Sequence, residues 1–585
     1  MNWSEALSKA KLRCPLLVLA ASVVLGLPIL LYGPLPTGHD LYEHINLSRH
    51  FAEQFRTGEL YPRWLIDMNH GLGSPTYFVF PPFSTYLYLM LKVPAHVLHF
   101  NAFTLGVFLP LLASGLGAFL WMRTMTRDSI AAAIAVFYMV APYHFVIDTY
   151  IRGAISECWG FVWMPVILYF VVELIAGKRW AFAGLALASA MMIFSHLISL
   201  AMFLPVPFAL AVIQPAAGKR LRSLILVATS MLLGAGISGV YLIPALDNSR
   251  IISGARFVAF PFYQPSNHFL YFGRQLFGHY ATGGTEEFLQ ICSWGMFAMI
   301  LVFAICGFVA WSTGPRESRR IVLLWIALCC WPIFLLSPLS NSLWLSFHRL
   351  HEAVEFPWRY GTQLGLAVLP LIAIAFSRPW KDWPLPRAIT LSAALLVCGM
   401  CLGGYGLVWS RYFTPPQPSQ PPSERHLISD ADVLLKAWLP DGMNQRSTLV
   451  ALTQPRIRFK EGSGEVQETQ WKPRHIEFQT NSATGGWVEI NQLHYPTWTA
   501  ATAATGSEAR AIPIQTAMPE GLIEVQVPPG TQDIHLEIPV SASERWGRWI
   551  SLLSVCLCLL TLRKARSKPA GVVLQIDRPL KEVAV

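Results

Sequence analysis

The chain has 585 residues, 54% hydrophobic and only 13% charged, where a soluble domain is roughly a quarter charged. A soluble multidomain enzyme is nearly excluded, and 12% aromatic residues with 21 Trp argue against disorder. The formal charge of +10 does not point to nucleic acid, because Lys and Arg lie in short clusters between apolar runs and form no single basic face.

A membrane helix needs about 20 mostly apolar residues. The first such run, 14–33, follows Lys9, Lys11 and Arg13. It starts like a signal peptide but lacks a small-residue cleavage site, so it reads as a retained anchor with a cytoplasmic N-terminus. Further spans are expected at 101–122, 129–147, 158–176, 181–197, 198–213, 221–246, 288–311, 321–337, 360–377, 387–409 and 546–562. With twelve spans, the clusters at Arg123/Arg127, Lys178/Arg179, Lys219/Arg220/Arg222, Arg316/Arg319/Arg320, Arg378/Lys381/Arg387 and Arg563/Lys564/Arg566/Lys568 all fall on the side of the N-terminus, as the positive-inside rule requires. The apolar stretch 77–98 carries Pro81, Pro82, Lys92 and His96. Counted as a span it would invert every later cluster, so it reads as an interfacial helix within a first external loop, 34–100. The ten Cys lie in or beside apolar runs, without zinc or disulfide spacing.

After the membrane region 1–410, a Pro-rich linker (411–423) leads into a polar region, 424–545, which precedes the last span and a cytoplasmic tail, 563–585. Apolar residues alternate at Ile457/Phe459, Ile476/Phe478, Ile523/Val525/Val527 and Ile534/Leu536/Ile538, with turns at Gly485-Gly486 and Pro528-Pro529-Gly530. Period-two strands separated by turns predict an extracytoplasmic β-sandwich. Asp430-Ala431-Asp432 is a chance pair ahead of a helix.

Ionisable residues cluster outside the spans. Asp40, Glu43 and His44 fall at i, i+3 and i+4 of a helix that opens after Gly38-His39, so they share one face, with Asp40 at its N-terminus. Capping and an interfacial polar face are the plain alternative. His39, Asp40 and His44 leave a divalent cation open, but nothing supplies a third or fourth ligand beyond them. Arg152, five residues before Glu157, either pairs with it or meets an anionic headgroup, since a guanidinium fork matches phosphate. Arg359, in Glu355-Phe356-Pro357-Trp358-Arg359-Tyr360, is more than an aromatic belt needs. Gly71-Leu72-Gly73-Ser74-Pro75 reads as a turn before the interfacial helix, and His196 as a satisfied histidine.

At these residues the sequence resembles the GT-C superfamily of membrane glycosyltransferases, and more closely the polytopic membrane proteins described as 6-pyruvoyl-tetrahydropterin-synthase-related, with their YfhO-like relatives. The likeness rests on Gly38-His39-Asp40, Tyr61-Pro62-Arg63-Trp64, the Gly71–Pro75 turn before Pro81-Pro82, Arg152-Gly153-Ala154 with Glu157, Phe356-Pro357-Trp358-Arg359 and Tyr495-Pro496-Thr497-Trp498. It implies an α-helical GT-C-like bundle of about twelve membrane helices with a C-terminal β-sandwich, in a bacterial inner membrane. It further implies sugar transfer from a polyprenyl-phosphate donor to a glycan, lipid or protein acceptor, with Asp40 as base and His39, Glu43, His44, Arg63, Arg152, Glu157 and Arg359 binding substrate. No metal site and no resident cofactor follow from it. Two rivals remain: a transporter or flippase for lipid-linked glycans, which would place ionisable groups at mid-membrane, and a non-catalytic envelope assembly factor.

Overall fold

The computed structural model describes residues 3–33, 40–215, 217–252, 261–280, 284–314, 318–377, 385–409, 442–503 and 509–566. The linker 411–423, the Asp430/Asp432 pair, His39 and the tail beyond 566 lie outside the described residues.

The membrane region is built of helices α1 (Trp3–Tyr32), α2 (Leu41–Arg56), α3 (Phe83–Val97), α4 (Ala102–Met122), α5 (Asp128–Val140), α6 (Ile155–Ile175), α7 (Trp180–Ser195), α8 (Leu197–Phe203), α9 (Pro205–Ile213), α10 (Arg220–Ile237), α11 (Gly239–Asn248), α12 (Thr285–Thr313), α13 (Arg319–Leu335), α14 (Gly361–Ser377), α15 (Leu385–Trp409) and, after the β region, α16 (Ala542–Arg566). Each of the twelve apolar runs is helical, but the expected count of spans changes. Among the described residues eight helices are long and apolar enough to cross a membrane, or nine if the pair bent by 83° at Ser337 is one span. Trp180–Ser195, Leu197–Ile213 and Ile389–Gly399 are shorter apolar helices. At 196 the His196 ring ends α7 and caps α8 by accepting the Ser199 N–H at 3.2 Å, which keeps the helices on either side short.

Helix α3 has 15 residues, about 22 Å of axis against about 30 Å of hydrocarbon, and exposes Met90, Val93 and Val97. It is therefore too short to be one of the candidate spans. The bundle centre is set by two segments, Asp128–Arg152 and Pro357–Phe376, whose apolar windows are 89% and 94% buried. Ala131, Ala132, Ala133 and Ala135 keep α5 thin enough for neighbours on all sides, the way small residues admit close helix packing in lipid.

The C-terminal region is a β-sandwich of two antiparallel sheets, ordered β1-β4-β8-β7 and β2-β3-β9-β5-β6. Its strands are β1 (Ile457–Gly462), β2 (Glu465–Lys472), β3 (His475–Ser482), β4 (Gly486–Leu493), β5 (Thr499–Ala503), β6 (Arg510–Ala511), β7 (Ile514–Ala517), β8 (Leu522–Val527) and β9 (Gly530–Glu537). Ile476 and Phe478 of β3, Ile534 and Leu536 of β9, and Ile523 and Val525 of β8 meet in one core, because alternate residues of each strand face the other sheet.

That core also takes Trp64, Ile66, Leu72 and Phe78 from the first loop. Trp64 lies 5.5 Å from Trp498 and Phe78 stacks 5.7 Å from Tyr495, so the Tyr-Pro-Arg-Trp and Tyr-Pro-Thr-Trp motifs dock on each other. Gln492 accepts the Trp64 Nε1–H at 2.9 Å and donates to the Gly71 carbonyl at 2.6 Å. Gly73 holds φ +84°, where an added Cβ would strike Trp64 and Gln492. The glycine turn therefore serves docking of the sandwich.

Candidate functional site

Helix α5 ends at Val140, and Ala141-Pro142 breaks it. The chain then winds as a ten-residue π-helical segment, Tyr143–Arg152, before Gly153 turns it at φ +63° into α6. Wide helical turns of this kind are rare and cluster at functional sites. A Cβ on Gly153 would strike Leu41, so the glycine admits the start of α2, and the Asp40 N–H donates to the Arg152 carbonyl at 2.9 Å.

This junction places Asp40 over Arg152. Arg152 Nη2 pairs with Asp40 Oδ2, while its Nη1 meets Asp148 Oδ1 at 2.6 Å and Glu157 Oε2 at 2.7 Å. The second oxygen of Glu157 accepts from Tyr143 Oη at 3.0 Å and Thr362 Oγ1 at 3.4 Å. Arg152, Asp148 and Glu157 are buried, whereas the Asp40 side chain is 34% exposed. Among the described residues Asp40 Oδ1 accepts no hydrogen bond.

Arg359 reaches the same end of the bundle from the other buried segment. Its Nη2 pairs with Glu355 at 2.9 Å, and its guanidinium lies 5.7 Å from the Trp358 ring. The Arg152 guanidinium lies 4.9 Å from that ring, so one indole is shared by two cations. Arg359 Nε and Nη1 are buried with no hydrogen-bond partner among the described residues. Such orphaned donors cost about 1 to 3 kcal/mol and are uncommon unless a ligand or a functional demand explains them.

Three further features were not legible in the sequence. Glu355 sits at φ +66°, ψ −52°, and Phe356 N–H bonds to the Val354 carbonyl at 2.8 Å, the rare strained form of γ-turn. Burial raises the Glu355 carboxyl above its ordinary value, against the pull of Arg359. Tyr263, from the segment that folds back over 348–360, stacks on Phe356 at 5.3 Å. Its phenol is raised by burial first and then by Glu355, Glu43 and Asp40, with Arg359 opposing.

The other expected site residues divide. His44 is buried beside Phe80 at 6.0 Å, and burial drives its imidazole down to about 4, with Asp40 opposing and Arg152 adding. It is a neutral wall of the site. Glu43 lies in the first turn of α2 with Asp40. Arg63 is not brought to this cluster: buried at the sandwich junction, it pairs with Glu544 at 3.2 Å and donates to the carbonyls of Val240 at 2.7 Å and Tyr77 at 3.5 Å. The terminal nitrogens of Arg152 are held by three carboxylates, Glu157 among them, which is the first of the two readings of that arginine. Among the described residues no group of three His, Cys, Asp or Glu is arranged for a metal ion, and His39 lies outside them.

A polytopic membrane protein with a docked β-sandwich is what the fold and the apolar helices define. Residues 76–346, just under half of the chain, match the model of the 6-pyruvoyl-tetrahydropterin synthase related domain, described as a membrane protein, which is the family the motifs resemble. The matched stretch contains Asp148, Arg152 and Glu157. It begins after Asp40 and ends before Glu355 and Arg359. No curated protein matches the chain.

Proposed function

We propose that the protein is a membrane glycosyltransferase that moves a sugar from a polyprenyl-phosphate donor to an acceptor on the β-sandwich side of a bacterial inner membrane. The observation that carries this reading is one juxtaposition. Among the described residues Asp40 presents a carboxylate oxygen without a hydrogen-bond partner at the end of the bundle where Arg359 keeps two nitrogens without acceptors.

In the proposed step Asp40 takes the proton of an acceptor hydroxyl as its oxygen bonds to the anomeric carbon. The bond from that carbon to the phosphate oxygen breaks, its electron pair leaves on the polyprenyl phosphate, and the configuration inverts. Arg152 orients Asp40, while Arg359 meets the phosphate charge. Glu43 and His44, on the Asp40 helix, wall the acceptor side. The reading is favoured over a transporter because Asp148, Arg152, Glu157 and Arg359 lie at the ends of the spans Asp128–Arg152, Ile155–Ile175 and Pro357–Phe376, where a transporter would be expected to carry such groups at mid-membrane.

Asp40→Asn removes the base at nearly constant volume. Sugar transfer is expected to fall by about 10² to 10⁴ with unchanged protein in the membrane. Mass spectrometry of envelope glycans from deletion, wild-type and Asp40→Asn strains reads this. Wild-type glycans in the Asp40→Asn strain would remove the base from the mechanism.

A further inference from the structure

The Glu355 turn does something that a structural ion pair does not require. An Arg and a Glu four residues apart pair readily on ordinary helical backbone. Here the pair is made across a γ-turn whose central residue, Glu355, holds φ +66°, a conformation that side-chain-bearing residues avoid. Strain of this kind persists where the surrounding structure enforces it, and it gathers at ligand clamps and switch regions.

The rest of the setting specifies what is clamped. The Glu355 carboxylate takes Nη2 of Arg359 at 2.9 Å, and its own side chain is 23% exposed. Among the described residues Nε and Nη1 of the same guanidinium have no acceptor, and both atoms are buried. The cover is aromatic: Phe356 lies 5.5 Å from the guanidinium and itself packs on Tyr263 at 5.3 Å and His268 at 4.6 Å. An anion arriving at Arg359 therefore meets a carboxylate already there, and two anions on one guanidinium repel unless one leaves.

We infer that Glu355 is an internal stand-in for a ligand phosphate: it occupies Arg359 in the empty protein, is displaced when the phosphodiester of the lipid-linked donor binds, and returns to expel the polyprenyl phosphate left after transfer. The inference rests on the reading of Arg359 as the phosphate-binding cation. It adds a regulatory contact, with the strained turn tending to release Glu355 and the charge of Arg359 tending to hold it.

The test is binding of undecaprenyl phosphate to the full-length protein in nanodiscs, with inorganic phosphate as a second probe. Glu355→Gln removes the competing charge, and Glu355→Gly removes it together with the positive-φ strain. Both are expected to bind undecaprenyl phosphate at least tenfold more tightly than wild type, and Glu355→Gly is also expected to melt at a higher temperature. Tighter binding of inorganic phosphate by the same variants places recognition in the phosphate alone; a gain confined to the lipid probe places it in the lipid-borne phosphate. Unchanged or weaker lipid binding in both variants, with wild type binding, would overturn the stand-in and leave the transferase reading in place. No binding by wild type or either variant would remove both.

Discussion

Two buried clusters of arginine and carboxylate hold this molecule together, and they are built on opposite principles. At the sandwich junction a single carboxylate, Glu544, gathers Arg63 at 3.2 Å from the first loop and Arg474 at 2.9 Å from the start of β3. The remaining donors of those arginines end on carbonyls of Val240, Ile538 and Pro539. At the bundle mouth the ratio is reversed. Arg152 faces Asp40, Asp148 and Glu157, while Asp148 Oδ2 and Arg359 Nε and Nη1 have no hydrogen-bond partner among the described residues. A fully satisfied polar network rigidifies a fold, whereas a partly satisfied one leaves energy that something else must meet. The junction is therefore a fastening, and the mouth is a site.

Substitutions that strip each cluster sharpen the contrast. Arg152→Gln leaves three carboxylates, two of them fully buried, without their cation. Removing one partner of a buried pair costs about 3 to 5 kcal/mol, and the upper end is expected here. The measurement is the fraction of protein that stays monodisperse in detergent, together with its melting temperature; near-wild-type stability would mean that the carboxylates do not depend on Arg152. Glu544→Gln is expected to cost less, about 3 kcal/mol, because both arginines keep their carbonyl acceptors. It should loosen the sandwich and increase proteolysis near the junction, with Asp40-dependent transfer per folded molecule retained. Loss of transfer at unchanged stability would contradict the division into fastening and site.

Much of this was legible in the sequence wherever the signal is local. Alternation at Ile476/Phe478 and Ile523/Val525/Val527 marks strands because a pleated strand turns every second residue to one face, and those residues are buried. Arg152 and Glu157 are close in the chain, so their pairing could be weighed from spacing. Contacts between distant segments could not. Asp40 meets Arg152 only because Gly153 lets α2 approach, and Arg63 meets Glu544 because the first loop threads into the sandwich core. An arginine beside aromatics looks the same in sequence whether it greets a ligand or ties two domains. Hydropathy likewise finds the apolar helices and places boundaries near His196 and Ser337, but it does not show that helices such as Trp180–Ser195 and Leu197–Ile213 are too short to span or that the chain bends by 83° after Leu335, so twelve apolar runs yield fewer full-length spans.

A smaller effect tests the wall of the mouth. His44, driven to about 4 mainly by burial, stays neutral in the folded protein while the unfolded chain takes a proton near pH 6.5. The unfolded state thus binds more protons between those values, and stability falls as pH falls through that window. About 2 kcal/mol is expected to be lost between pH 7 and pH 5, and His44→Gln should flatten that part of the profile. An unchanged slope in His44→Gln would show that the ring is not kept neutral.

The smallest predicted effect lies at the fastening. Tyr495 Oη donates to Asn248 Oδ1 at 2.7 Å, joining the sandwich to the end of α11, and both residues are buried. Tyr495→Phe keeps the ring that stacks on Phe78 and removes only the hydroxyl, leaving Asn248 Oδ1 without this donor. The loss of one such bond costs about 1 kcal/mol, far below that of Glu544→Gln. Thermal unfolding followed by tryptophan fluorescence is suited to the measurement, since Trp64 and Trp498 lie at this interface. A drop as large as that of Glu544→Gln would mean that the aromatic contacts and the ion pairs do not fasten the sandwich independently, and that the docking turns on the Tyr495–Asn248 bond.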